Sequence, residues 1–268
     1  MDQTTISILG CGWLGLPLSE FLISKNYIIN GSSRTKQKFD ELNDKSINPF
    51  LINLPEGISQ NENSDFFNSD VLIINIPPLD SKSDGKIFPH DEQIKLLAKK
   101  INSSSVKKII YISSTSVYLD TNGVVTEESN YASSVRAETL LKAEANLKNS
   151  EFDLTILRFG GLYGYGRIPI RKNSNPVILG NFKKLNLLHR DNACRVILEI
   201  IEKDLWNETF NVCEDEHPTQ LEFFHQSAAC SEIDNYEVDN SKTDYKIVSN
   251  FKIRNALGIS LTNKIPQS

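Results

Sequence analysis

Apolar residues along this chain follow two rhythms. Short, dense runs stand at Ile6–Leu9, Tyr27–Gly31, Pro49–Leu54, Val71–Ile76, Ile109–Ser113 and Leu154–Arg158. Between them, apolar positions recur every three or four residues over Leu14–Ser24, Lys36–Asn43, His90–Ile101 and Ala132–Lys148, as in Ile94, Leu97 and Ile101. The first rhythm predicts strands and the second predicts helices with one buried face. The run VLIINI of Val71–Ile76 scarcely alternates, as in a strand covered on both faces of a parallel sheet, and Pro77-Pro78 ends it. Strands separated by helices of about 10–15 residues imply right-handed crossovers and an α/β, doubly wound parallel sheet.

The pattern loosens after Arg158. Gly160, Gly161, Gly164, Gly166 and Pro169 punctuate what reads as a long loop. Asp191–Glu202 follows as a helix and Thr209–Val212 as a strand, and from Pro218 onward helices and irregular pieces dominate. Asp80 to Pro89 carries turn and charge signals and reads as an exposed loop.

With 39% apolar and 24% charged residues, composition is that of a soluble globular chain, and no apolar run approaches a membrane span. No signal-peptide pattern opens the sequence, so the expected compartment is the cytoplasm. The net charge of −5, with both signs interspersed, argues against a nucleic-acid-binding surface. Cys11, Cys194, Cys213 and Cys230 show no paired spacing, so they read as isolated buried thiols and no metal is assigned.

Candidate chemistry begins at Gly10-Cys11-Gly12-Trp13-Leu14-Gly15, a G-x-G-x-x-G between the first strand and the first helix. Gly10 permits the tight turn, Gly12 lets the backbone approach a pyrophosphate, and Gly15 packs the helix onto its strand. The helix start then offers N–H groups and partial positive charge to the anion. An NAD site ordinarily carries an acidic residue at the end of the second strand, for the ribose 2′-hydroxyl. Here Ser33-Arg34-Thr35 stands there, with no carboxylate before Asp40. A guanidinium with hydroxyls suits a 2′-phosphate, which favours NADP, with NAD as the other guest and a solvated Arg34 as the plain alternative. Asn75, Ile76 and Pro77, at the carboxyl end of the fourth strand, are expected to line the adenine and ribose, although the prolines equally suit a simple strand terminator.

Four stretches in this order carry a likeness: GCGWLG, Ile112 to Tyr118, Arg158 to Gly164, and His189 to Ala193, with Asn250, Lys252, Leu257 and Gly258 adding a tail element. Together they resemble the extended short-chain dehydrogenase/reductase superfamily, the epimerase/dehydratase-like proteins that act largely on nucleotide sugars, and in particular its atypical bacterial branch. The resemblance implies a Rossmann-like domain over residues 1–158, with 186–213 returning to it, and a small α+β substrate or lid lobe over 159–185 and 214–268. It implies Ser113 beside the cofactor and Ser114 as the hydroxyl that meets the substrate. It also implies a Tyr-x-x-x-Lys pair, and here the chain departs. Counting from Glu144 puts Arg136 where the tyrosine should stand and Leu140 where the lysine should stand, while four residues past Tyr131 lies Val135. An arginine is a very poor general base, and leucine can neither hold a ribose nor tune a neighbour.

Three readings follow. Tyr131 or Tyr163 is another proton donor for an oxidoreductase or epimerase; Arg136 orients an anionic substrate or developing charge; or the chain is a dinucleotide-binding sensor or scaffold without turnover. His189 and Asp191 read as structural ties. Arg167, Arg171 and Lys172 form either a clamp for a nucleotide-sugar pyrophosphate or a solvated basic loop. The expected partner is a small molecule, with nucleotide sugars the class implied by the resemblance, and neither nucleic acid nor membrane. In that family the helices around Ile94 and Leu141 commonly build a homodimer interface, although each apolar stripe could equally face the sheet.

Overall fold

The computed structural model describes residues 3–54, 65–83, 86–148, 151–168, 177–180, 182–227, 236–241 and 243–262. Arg171, Lys172, Pro169 and Cys230 lie outside the described residues. The chain divides into two compact units: Met1–Ser113 with Ser134–Leu157 and Ile197–Thr209, and Ser114–Ser133 with Arg158–Val196 and Phe210–Ser268.

The central sheet is built on β1 (Thr5–Leu9), β2 (Ile28–Ser33), β3 (Asn48–Leu51), β4 (Val71–Ile74), β7 (Lys108–Ser114), β9 (Asp153–Phe159) and β13 (Thr209–Val212). They form one seven-stranded sheet in the order β13-β9-β7-β4-β1-β2-β3. Strand β1 pairs in parallel with both β2 and β4, β2 pairs in parallel with β3, and β4 with β7. This is the doubly wound arrangement, with α1 (Gly15–Ile23), α2 (Phe39–Asp44), α3 (His90–Asn102), α4 (Val135–Lys148) and α5 (Arg190–Glu202) among the connections. All four residues of β4 are buried, as a continuous apolar run requires. Ile94, Leu97 and Ile101 on α3, with Ala143 and Leu147 on α4, join Leu72, Ile74, Ile109 and Ile156 in one core. The stripe of α3 therefore faces the core, while Glu92, Lys95, Lys99 and Asn102 are exposed. Packing of this kind contributes roughly 1.5–3 kcal/mol per fully buried large aliphatic.

The sequence reading needs one correction in this unit. The expected exposed loop over Asp80–Pro89 holds a short antiparallel hairpin, β5 (Ser81–Ser83) with β6 (Lys86–Phe88). Buried Gln93 ties it down by donating to the Leu79 and Phe88 carbonyls at 3.1 and 2.9 Å. Strands of three residues are too short to announce themselves by alternation.

The second unit corrects the reading in the same way. The stretch after Arg158 contains β10 (Gly161–Tyr163), which pairs in parallel with β12 (Leu187–His189). Strand β11 (Val177–Leu179) pairs with β14 (Glu237–Asp239), and β8 (Gly123–Val125) with β15 (Lys246–Val248). The C-terminal part thus contains strands as well as α6 (Gln220–Gln226) and α7 (Phe251–Leu257). Helix α6 opens on a capping box, with Thr219 and Glu222 exchanging side-chain and backbone bonds. Helix α7 ends at Gly258 in the left-handed conformation, and the buried Asn250 amide before it donates to the Cys213 carbonyl and the Asp215 carboxylate. Tyr163, Ile178, Leu187, Phe223 and Phe224 form this unit's apolar centre.

Candidate functional site

In the first unit, the glycine turn is braced by residues far from it in sequence. The Ser32 hydroxyl accepts from the Gly10 N–H at 2.8 Å, and the Ser32 carbonyl accepts from the Cys11 N–H at 3.1 Å. Asn75 donates its side-chain amide to the Gly10 carbonyl at 3.1 Å, so its side chain braces the turn itself. Gly10 has φ +108°, and a Cβ there would run into the Asn75 carbonyl. A Cβ on Gly15 would strike the Gly10 carbonyl. Gly12 differs, because a Cβ would meet nothing within 4 Å. No neighbouring protein atom requires a glycine at 12, whereas a ligand lying against the backbone there would.

The rest of that end suits an anion. Helix α1 has no side-chain cap and no acidic residue in its first turn. Leu14 is buried and Trp13 half-buried. The Cys11 thiol fills the space above Gly31 and is pushed up to about 11 by burial, so it packs rather than reacts. At the end of β2, Ser33 and Thr35 exchange a side-chain turn, with the Ser33 hydroxyl donating to the Thr35 carbonyl at 2.9 Å. Arg34 is exposed and has no hydrogen bond or ion pair among the described residues. Ile76 is half-buried and Pro77 exposed after β4. These residues fit a nicotinamide dinucleotide: an open glycine, an uncapped helix start, and a cation where the second strand ends.

At the far end of β7, buried Ser113 donates to the buried carboxylate of Glu144 at 2.6 Å. Arg136 is exposed on the first turn of α4, and its charge lowers the His90 imidazole further, after burial as the main cause. Leu140 is 1% exposed, within the packed face of the helix. His90 itself is held at about 4, with its Nε2 at 2.9 Å from the Tyr111 hydroxyl.

The second unit holds Ser114 and Tyr131. The half-buried Ser114 uses its hydroxyl oxygen to accept from the Ser116 N–H at 3.1 Å, which leaves its own proton to donate. Tyr131 is bridged to Tyr118 in the backbone, stacks its ring on that of Tyr118, and remains 45% exposed. Between these two phenols lies Arg158, 1% exposed, donating to Tyr118 at 2.6 Å and to Tyr131 at 3.2 Å. Tyr118 donates its hydrogen bond to the Asn211 side-chain carbonyl at 2.7 Å, and burial pushes this phenol up to about 12 against the opposing effect of Arg158.

Tyr163 is a different case from Tyr131. It is 2% exposed and donates to Glu214 at 2.8 Å; burial and that carboxylate push the phenol well above its usual range. Tyr163 is thus set aside as a proton donor, because its proton is engaged in a buried bond. Glu214, itself raised mainly by burial, also accepts from the His189 N–H and the Asn192 amide. His189 packs edge-on against Tyr163 and covers Gly164, and Asp191 accepts from the Tyr165 hydroxyl. His189 thus packs within this unit, whereas Asp191 is an exposed hydrogen-bond acceptor.

Sequence reasoning assigned no role to the side chains of Ser32, Arg158 and Glu214. Only Arg158 left a signal: an arginine in the apolar strand LTILRF must find partners once buried. Among the described residues no group of three or more His, Cys, Asp or Glu could hold a metal ion, and no helix is long and apolar enough to cross a membrane.

The strand order and the glycine turn define the fold class, a Rossmann-like, doubly wound α/β fold. No family model matches the chain. Among curated proteins it is similar to Protein YeeZ of Escherichia coli (strain K12), with 26% identity over 261 residues and 94% of each chain covered. Among solved structures it superposes on the UDP-glucuronic acid 4-epimerase of Bacillus cereus in complex with NAD, with a TM-score of 0.78, 18% identity, and 98% of this chain and 93% of that one covered. A short-chain dehydrogenase/reductase superfamily protein of Agrobacterium tumefaciens with bound NAD gives a TM-score of 0.75 at 14% identity, covering 97% and 93%.

Proposed function

We propose that this chain is an atypical epimerase/dehydratase-type oxidoreductase that binds a nicotinamide dinucleotide and prefers NADP. It acts on a nucleotide sugar or another small carbonyl or hydroxyl compound, without the Tyr-x-x-x-Lys pair. The observation that carries the reading is the braced turn in which Gly10 and Gly15 are demanded by packing while Gly12 opens on free space. The epimerase and dehydrogenase structures of the same fold that hold NAD support the dinucleotide. Arg34, exposed and without a partner among the described residues, supports the 2′-phosphate.

A reduced nicotinamide supplies hydride when bound, and the protein must then deliver a proton to the substrate oxygen. In this reading Tyr131 delivers it, Ser114 donates a hydrogen bond to the same oxygen, and Arg136 orients an anionic group of the substrate. Arg136 is protonated at any ordinary pH and so takes no part in proton transfer.

A second reading, a dinucleotide-binding sensor or scaffold without turnover, is favoured by Leu140. It is buried where the resemblance calls for a lysine, and a positioned acid–base pair is typically worth about 10²–10⁴ in rate. Calorimetry with NADPH and NADH tests the shared premise: tighter NADPH binding is expected, equal affinities remove the NADP preference, and no binding of either removes both readings. NADPH oxidation with a panel of carbonyl compounds and nucleotide sugars then separates the two. Turnover that is lost in Tyr131→Phe supports the enzyme, and binding without turnover supports the sensor.

A further inference from the structure

We propose that Arg158 and Tyr131 form a tyrosine–arginine pair in which the buried guanidinium is the positioning residue for an exposed, reactive phenol. This deepens the reading of Tyr131 as the proton donor and rests on it. The two residues come from different parts of the chain: Tyr131 follows β8 in the connection to α4, whereas Arg158 lies near the end of β9.

The geometry has three parts. First, Arg158 is 1% exposed, and a cation so buried is tolerated only where hydrogen-bond acceptors surround it. Its Nη1 donates to the Tyr118 oxygen at 2.6 Å and to the Glu127 carbonyl at 3.4 Å, and its Nη2 to the Tyr131 oxygen at 3.2 Å. Second, the guanidinium carbon lies 5.2 and 5.1 Å from the ring centroids of Tyr118 and Tyr131, so both rings as well as both oxygens are held. Third, the two phenols differ in access. Tyr118 is 1% exposed and donates to the Asn211 side-chain carbonyl, whereas Tyr131 is 45% exposed.

One phenol anchors the cation in the core, and the other meets it from a residue that stays partly exposed. A cation donating to a phenol oxygen favours any reaction in which negative charge develops on that oxygen, whether the phenol gives up its proton to a substrate or attacks an electrophile. In the resembled family a lysine four residues along one helix would supply this cation. Here it arrives from a neighbouring strand, and its planar fork allows one residue to serve both phenols. The Glu127 carboxylate accepts from the Asn211 N–H at 2.7 Å, and its charge acts on Tyr118.

The pair is tested without cofactor or turnover, by labelling the full chain with an arylsulfonyl fluoride and quantifying each tyrosine by peptide mass spectrometry. The phenol oxygen forms a bond to sulfur, the sulfur–fluorine bond breaks, and fluoride and the phenol proton leave. Tyr236 is the internal standard: it is exposed, and its hydroxyl faces His225 rather than a guanidinium. Tyr131 is expected to label at least about tenfold faster than this standard. Arg158→Gln should abolish the excess and Arg158→Lys should restore most of it, with the rate of the standard unchanged. Labelling of Tyr131 no faster than Tyr236 in the parent protein overturns the proposal whatever the fate of the variants, and so does an undiminished excess in a folded Arg158→Gln. Selective labelling in a protein that binds neither NADPH nor NADH leaves the pair standing and removes the dinucleotide reading instead.

Discussion

Alanine at Gly12 and at Gly15 should have opposite effects, because the two glycines answer to different neighbours. At Gly15 a Cβ would drive into the Gly10 carbonyl, and the Asn75 amide nitrogen would lie 3.1 Å away. Backbone cannot swing aside as a side-chain tip can, so the turn or α1 must shift. Overpacking of this kind costs about 1–3 kcal/mol. For a chain of this size, 2 kcal/mol lowers Tm by about 4–8 °C. At Gly12 a Cβ meets nothing within 4 Å, and no left-handed φ stands in the way. Alanine there restricts only the unfolded chain, which stabilises by about 0.4–1 kcal/mol. The same methyl would separate the turn from a bound pyrophosphate, and a loss of about 1.4 kcal/mol or more is at least tenfold in Kd. Urea unfolding and NADPH calorimetry on both variants measure the two effects independently. Gly12→Ala should be as stable as the parent or more so, yet bind NADPH at least about tenfold more weakly. Gly15→Ala should lose stability. NADPH affinity unchanged in Gly12→Ala would refute the assignment of the turn as a phosphate cradle, and full stability of Gly15→Ala would refute the packing argument.

Other outcomes follow from the same geometry. Arg34→Gln should weaken NADPH binding by about 10–100-fold, the worth of a lost charge-assisted bond, and leave NADH binding unchanged; equal losses for both cofactors by calorimetry would refute a 2′-phosphate contact. His90 is held neutral down to about 4, below its ordinary 6.5, so its native environment favours the uncharged ring. The stability this confers is present above pH 6.5 and is lost as pH falls toward 4, by about 3 kcal/mol in all. Urea midpoints at pH 7.5, 5.5 and 4.5 should therefore fall more steeply in the parent than in His90→Gln, and parallel curves would contradict it. Gly164, with φ +109° and the His189 ring against its Cα, should not accept alanine: a loss of about 1–3 kcal/mol is expected, and thermal melting within 1 °C of the parent would be inconsistent with that packing.

Much of the first unit was legible before any coordinates. VLIINI at Val71–Ile76, the three-and-four spacing of Ile94, Leu97 and Ile101, and the strand-glycine-helix order around Gly10 are local signals, each complete within a few residues. A sheet buried on both faces leaves such signals strongly. The three-residue strands β5, β6, β10 and β12 left none, because alternation needs a longer run and their partners lie elsewhere in the chain. The same reason explains why Tyr163 looked like a proton donor. Glycines flank its stretch of sequence, whereas the carboxylate that accepts its hydrogen bond, Glu214, is 51 residues away.

Sequence alone was enough for the doubly wound sheet, the place of the glycine turn at its first strand, and the absence of Tyr-x-x-x-Lys from the fourth helix, since these follow from residue order and spacing. Tertiary structure decided what those residues touch. It put the Ser32 hydroxyl under Gly10 across 22 residues, turned the Asn75 amide into a brace across 65, and set Arg158 between Tyr118 and Tyr131 across 40 and 27. Hydrogen bonds and buried charges are satisfied through space, and a chain folded by crossovers brings together partners that no local pattern can announce.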